Sequence, residues 1–243
     1  DIIFQTGNNG ATEALRLYEK NPGLVFFGMG FETTTPMTAY LLKHGVTVFS
    51  THKLIIPAMK ALMRGEMKID GFICPGHVST IIGSRVYEQL NFPQVISGFK
   101  PEQILHSTLL LVELIRDGKR EVINNYREVV LPEGNQRAWA LIEETMKPVD
   151  GEWRGLGVLP ESSLAPRNEK LDARLVYKDV FKGLESFENK ACRCGEVVRG
   201  LIEPQDCRLF GKTCTPEKPM GACMVSDSEG ACAIAYRYGR GAL

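Results

Sequence analysis

The chain of 243 residues carries 29 basic and 29 acidic side chains, so its net charge is zero, and 44% of its residues are hydrophobic. That balance excludes a general attraction to nucleic acid or to an anionic membrane surface, while the length allows one large domain or two smaller ones with a substantial core. The longest apolar runs, LIIPAM and LLLVELI, are far too short to span a bilayer.

The chain begins at Asp1, and IIFQTGNNG shows no targeting pattern, so a fragment or a processed form is expected. Cytoplasmic residence is the default, and routine disulfides are not expected there. ATEALRLYEKNPG reads as a helix stopped by Pro22 and Gly23, with no strand before it. One theme then repeats up to residue 120: a short apolar β-branched run, a turn, and an amphipathic stretch. GLVFFGMG is a strand followed by the helix TTTPMTAYLLKHG, and VTVFS is followed by THKLIIPAMKALMRG. IDGFIC is followed by PGHVSTIIGSRVYEQL, and QVISG by FKPEQILHSTLLLVELIRDG. Strands alternating with helices of this length predict parallel βαβ units. The strands are hydrophobic nearly throughout, which suits a sheet covered on both faces. Thr35 with Pro36 and Lys100 with Pro101 put proline where a first helical turn tolerates it, and Glu102 follows in the first turn.

EVINNYREVVLPEGNQRAWALIEETMK reads as largely helical, broken near Pro132 and Gly134. WRGLGVLP predicts one further strand, and DARLVYKDVF a short helix. From Cys192 onward Gly, Pro and Cys dominate, and hydrophobic periodicity fades. The expected fold class is α/β: a parallel-sheet domain over residues 1–145, a connecting segment over 146–191 packed on it, and a loop-rich cysteine module over 192–243.

Cys74 stands alone in the first 191 residues, whereas Cys192, Cys194, Cys207, Cys214, Cys223 and Cys232 follow as C-x-C-x12-C-x6-C-x8-C-x8-C. Structural zinc usually shows paired C-x2-C knuckles, which are missing here. An iron–sulfur cluster needs four convergent thiolates and tolerates irregular spacing, and six cysteines leave two for a redox pair beside it. Chemistry alone leaves a cluster, zinc, disulfides and buried core thiols open. Cys232, in EGACAIAYRYG, reads as a small buried thiol.

In an open parallel sheet, ligands sit outside the carboxyl ends of the strands. GFETTTP (Gly30 to Pro36) and CPGHVS (Cys74 to Ser79) fall at such ends, with STHKL and GFKPEQ completing the rim. The glycines allow close backbone approach, and the threonines offer hydroxyls or cap a helix. Read alone, Glu32 is as well explained by a solvent-facing cap residue, and His77 by a structural histidine. Glu32, His52, Lys53, His77 and Lys100 on four adjacent strand ends predict a polar cleft. No P-loop, dinucleotide fingerprint or Ser–His–Asp order is present.

GFETTTP, then PGHVS, then CRCGEVVRG followed by CRLFGKTCTPEKPMGACMVSDSEGACA resemble the HypD family of [NiFe]-hydrogenase maturation factors over essentially the whole chain. The resemblance implies α/β domains with a C-terminal iron–sulfur module whose [4Fe-4S] cluster is ligated by Cys194, Cys207, Cys214 and Cys223, leaving Cys192 and Cys232 as spare thiols. Gly30, Phe31, Glu32, Thr33 and Thr34 match one of the family's cleft motifs, and Pro75, Gly76, His77 and Val78 another. The implied function is a scaffold, with HypC, for assembling the Fe(CN)2CO group, with cyanide from HypE and HypF and delivery to the hydrogenase large subunit precursor. The family's Cys-Gly-x-His-x-His motif is not found; the sole Cys-Gly, at Cys194, continues into Glu196 and Val197. The sequence is therefore expected to start after that region, keeping the cluster without completing the iron-loading site. A cluster-dependent thiol reductase and a zinc-stapled binding module are the rival expectations.

Overall fold

The computed structural model describes residues 2–3, 10–64, 66–183, 189–226 and 229–239. It divides into two compact units, one formed by residues 1–57, 70–150 and 160–182, the other by 58–69, 151–159 and 183–243. Parts of the sequence-defined connecting segment and cysteine module, at 184–188, 227–228 and 240–243, lie outside the described residues.

The first unit holds two parallel three-stranded sheets. The first sheet has the order β1-β2-β3, with β1 at Ile2–Ile3, helix α1 at Gly10–Lys20, β2 at Val25–Gly28, α2 at Thr35–Lys43 and β3 at Thr47–Ser50. Ile2 pairs with Val25, and Val25 with Thr47, all in parallel register. The strand ahead of α1 was not expected; two residues are too short for a periodicity signal. Helix α3, Ile55–Leu62, leads on to the second sheet. That sheet has the order β4-β5-β6, with β4 at Phe72–Pro75, α4 at Gly76–Ile82, β5 at Gln94–Ser97, α5 at Pro101–Arg116 and β6 at Val122–Asn124. The expected long helix from Glu121 is thus a strand first, with helix α6 confined to Gln136–Thr145. VIN is three residues of middling burial on a sheet edge, and it carries little of the pattern that distinguishes strand from helix.

Both middle strands behave as their sequences demand. Every residue of β5 is buried, and Val95 and Ile96 are fully so, each contributing about 1.5–3 kcal/mol of hydrophobic stabilisation. Phe26 and Val48 of the first sheet join Leu41, Leu42, Ile142 and Met146 in the main core, which draws α2 against α6. The single strand expected at WRGLGVLP is two, β7 at Met146–Trp153 and β8 at Gly157–Pro166, paired as a two-stranded sheet.

Glycine is required where α4 ends. Gly83 and Gly134 both have positive φ, and a Cβ on either would run into the other's backbone. This close approach lets Asn135 N–H reach the Ile81 carbonyl at 3.0 Å and seats the N-terminus of α6 beside α4. No helix among the described residues is long and apolar enough to cross a membrane.

Candidate functional site

The first unit positions GFETTTP at the carboxyl end of β2. Gly30 takes φ +128°, and a Cβ there would strike Thr34 Oγ1, so the loop is closed around a glycine. The Thr34 hydroxyl lies 3.1 Å from the Met29 carbonyl, and the Thr35 hydroxyl donates to the Phe31 carbonyl at 3.1 Å. Neither Thr33 nor Thr34 is buried, but Thr35 and Thr38 are, and both hold His52. Thr35 spends its proton on Phe31, so its oxygen accepts from His52 Nδ1 (3.3 Å), and Nε2 accepts from the Thr38 hydroxyl (2.7 Å). Burial lowers the His52 pKa to about 4, only partly offset by a hydrogen bond to the Gly30 backbone. The ring is a neutral pillar under the loop rather than a rim residue. Lys53 extends along β8 instead, its Nζ donating to Ser163 Oγ at 2.9 Å.

Glu32 is the unusual member. It is 2% exposed, Oε1 accepts the Ile55 N–H at 3.0 Å, and among the described residues Oε2 has no hydrogen-bond partner. Burial raises its pKa from 4.5 to about 7, against the opposing pull of the Ile55 and Glu32 backbone N–H groups. It lines a cleft of about 550 Å³ walled by Leu54 and Ile56 on one side and by Ile81, Trp139 and Glu143 on the other.

CPGHVS sits on the second sheet. Cys74 is 1% exposed, faces Gln94, and has its thiol pKa pushed up to about 12 by burial. Cys74 is thus buried within β4, whereas His77 belongs to α4. His77 is exposed and stacks on Phe99 with ring centroids 4.2 Å apart. Pro75 precedes the helix and accepts Ser79 Oγ at 2.9 Å, Gly76 packs against Ser97 and Tyr126, and Val78 is buried. Lys100 is exposed at the N-terminus of α5. The four strand ends therefore make two rims: Glu32, His52 and Lys53 belong to the first sheet, and His77 and Lys100 to the second. A strand pattern gives no pairing partners, which is why the sequence suggested a single rim. Sequence reasoning also missed Trp139 and Glu143. With Gln136 they recur at helical spacing on one face of α6, and that periodicity was the available signal.

The second unit gathers the thiols. Cys194, Cys207, Cys214, Cys223 and Cys232 are each 6–8% exposed, and Cys192 packs against the same cluster as Met224, Val197 and Ala233. Gly155 and Gly195 touch backbone to backbone, which presses the β7–β8 turn onto the segment carrying Cys194. A Cβ at Gly221 would strike Cys192 Sγ. The Met220 N–H donates to Cys214 Sγ and the Cys223 N–H to Cys194 Sγ, each at 3.3 Å. Cys194 and Cys223 are joined sulfur to sulfur with Cα atoms 5.9 Å apart. Burial pushes the Cys232 thiol up to about 11, with Cys207, Cys214 and Cys192 adding to it. Among the described residues, no three His, Cys, Asp or Glu side chains are arranged to hold a metal ion. The donor set nevertheless has the chemistry of an iron–sulfur site: soft thiols in an apolar shell, with amide donors on two of the sulfurs.

Parallel βαβ sheets with a buried carboxylate beside a cleft in one unit, and a cluster of buried cysteines in the other, define a two-unit α/β protein with a thiol-rich module. The family model HypD, described as "Hydrogenase formation hypA family", matches residues 9–239, and the chain belongs to that family. It is 42% identical over 248 residues to a hydrogenase expression/formation protein HupD of Azotobacter chroococcum and, equally, to a hydrogenase maturation factor HypD of Azotobacter vinelandii; each alignment covers 94% of this chain and 65% of the relative. A hydrogenase maturation factor HypD of Cupriavidus necator is 39% identical over 254 residues, covering 95% of this chain and 66% of its own length. The chain thus spans about two thirds of the length of the curated relatives it matches.

Proposed function

We propose that this chain is part of a cytoplasmic hydrogenase maturation factor that works with HypC as the scaffold on which the Fe(CN)2CO group is assembled. Cyanide would come from HypE and HypF, and the finished group would go to the hydrogenase large subunit precursor. The observation that carries the reading is a set of buried thiols in a chain whose family match runs through both α/β sheets and the thiol module. Cys194, Cys207, Cys214 and Cys223 would hold a [4Fe-4S] cluster, which supplies one-electron chemistry when bound. Val197, Met224 and Phe210 would keep water from the sulfurs and, with the Cys194–Cys223 bond reduced, the Met220 and Cys223 amides would stabilise thiolate at Cys214 and Cys194. In the first unit the exposed Thr33 and Thr34 at the Gly30–Phe31 turn and the His77–Phe99 stack beside Pro75, Gly76 and Val78 would position the cargo's polar ligands or HypC.

HypC titrated against anaerobically purified protein should form a stable complex; a folded, iron-loaded protein that fails to retain HypC sinks the scaffold reading. The contact between Cys194 and Cys223 favours a second reading, a thiol–disulfide reductase using this pair. Catalytic turnover of a protein disulfide, abolished by Cys223→Ser with no effect on HypC binding, would select it.

A further inference from the structure

The cleft beside Glu32 joins a hidden charge to an apolar space. Its described walls are largely hydrocarbon, from Leu54, Ile56 and Ile81 together with the Trp139 ring, and no lysine, arginine or histidine is among them. Three carboxylates reach it. Glu143 accepts the Trp139 indole N–H at 3.0 Å, and Glu133 is paired with Arg85 at 2.9 Å. Among the described residues Glu32 has no such partner for Oε2, although it is the most deeply buried of the three. An unpaired carboxylate oxygen in an apolar wall is costly, and neither packing nor helix capping requires it here, because one oxygen already serves the Ile55 N–H. The cavity of about 550 Å³ is the size small ligands occupy, roughly 300–1,000 Å³.

We propose that this cleft binds a cationic group, an ammonium or guanidinium, carried on an apolar stem, with Glu32 as its counter-ion. Other ligand classes fit less well. An anion would meet carboxylates with no cation to receive it, and a purely apolar molecule would leave Oε2 unpaired. A cation donates a hydrogen bond to that oxygen once the Glu32 carboxyl turns into the cleft it lines, its stem covers the Leu54, Ile56 and Ile81 surface, and the Trp139 ring attracts positive charge. The ligand is a free alkylamine or a lysine or arginine side chain offered by a protein. Neither the thiol module nor the exposed threonines enter this site, so the inference extends beyond the maturation reading and stands or falls separately from it.

The test is titration of the protein at about pH 8, where both ions are charged, with Trp139 fluorescence read in a Trp153→Phe background. Probes are hexylammonium, 1-hexanol and the peptide acetyl-Leu-Lys-Leu-amide. Hexylammonium or the peptide should bind at least about tenfold more tightly than hexanol, and Glu32→Gln should abolish that preference while circular dichroism shows the fold intact. Tighter binding of the peptide identifies a protein side chain as the source, and tighter binding of hexylammonium a free amine. Equal binding of hexanol and hexylammonium, no binding of any probe, or an undiminished preference in Glu32→Gln overturns the proposal. Should Glu32→Gln fail to fold, Trp139→Leu, titrated by calorimetry rather than fluorescence, must weaken the cation severalfold more than the alcohol, and an equal loss for both overturns it too. HypC binding and iron content are read independently in the same preparations.

Discussion

Replacing Glu32 by glutamine removes a charge that the fold tolerates at a cost. The carboxyl is 2% exposed and its pKa rises from 4.5 to about 7 because of burial. A raised folded-state value means stability present on the acid side and lost as pH climbs from about 4.5 to about 7, because the unfolded chain gives up its proton first. The loss approaches about 3 kcal/mol above the upper value. His52 has the opposite sign: burial lowers its pKa from 6.5 to about 4, so its contribution is present above 6.5 and lost as pH falls toward 4. The two slopes oppose each other across nearly the same window, and the native protein should look almost insensitive to pH there. Glu32→Gln uncovers the His52 slope. Urea unfolding from about pH 5 to about pH 8, followed by Trp139 fluorescence with Trp153→Phe as background, should show the variant near wild type at the acid end. It should be about 3 kcal/mol more stable at the alkaline end, a rise of roughly 5–10 °C in melting temperature. A difference between variant and wild type that stays constant with pH would refute the burial argument.

Other consequences can be checked separately. His52→Gln in the Glu32→Gln background should flatten the remaining pH slope and cost about 1–3 kcal/mol through the stranded Thr35 and Thr38 hydroxyls, read from the same unfolding curves. Gly195→Ala places a Cβ against the Gly155 carbonyl, so it should destabilise the thiol module and lower bound iron without removing any sulfur, measured by metal analysis and limited proteolysis. Gly134→Ala, with its backbone clash at Ile81 and Gly83, should cost more than about 1 kcal/mol and disturb the cleft, seen as altered Trp139 emission. Cys207→Ser should strip the cluster and make residues beyond 189 protease-sensitive while unfolding of the first unit stays unchanged.

The alternation of strands and helices up to residue 120 was legible because apolar runs and proline-marked helix starts agree with each other. Sheet membership was not: periodicity identifies β2 and β4 as strands and is silent on whether they share a sheet, so two rims were read as one. The edge strand Val122–Asn124 is not distinguishable from helix in the sequence, because three half-buried residues carry no decisive period. In the sequence Glu32 is equally consistent with a solvent-facing cap residue, since nothing in GFETTTP reveals that α3, α4 and α6 line the cleft beside its side chain. His52 has a similar explanation. Its neighbours Thr35 and Thr38 lie on the next-door helix at a spacing that makes sense only once α2 is laid on β3. The thiols were easier, because six cysteines within 41 residues announce a shared environment whatever the fold around them.

Iron and acid-labile sulfide counted on oxygen-free protein, with electron paramagnetic resonance after reduction, test the thiol module most directly. About four of each per chain, with a cluster signal that disappears in Cys207→Ser, is the predicted result. A folded protein that binds stoichiometric zinc, or no metal at all, would contradict it.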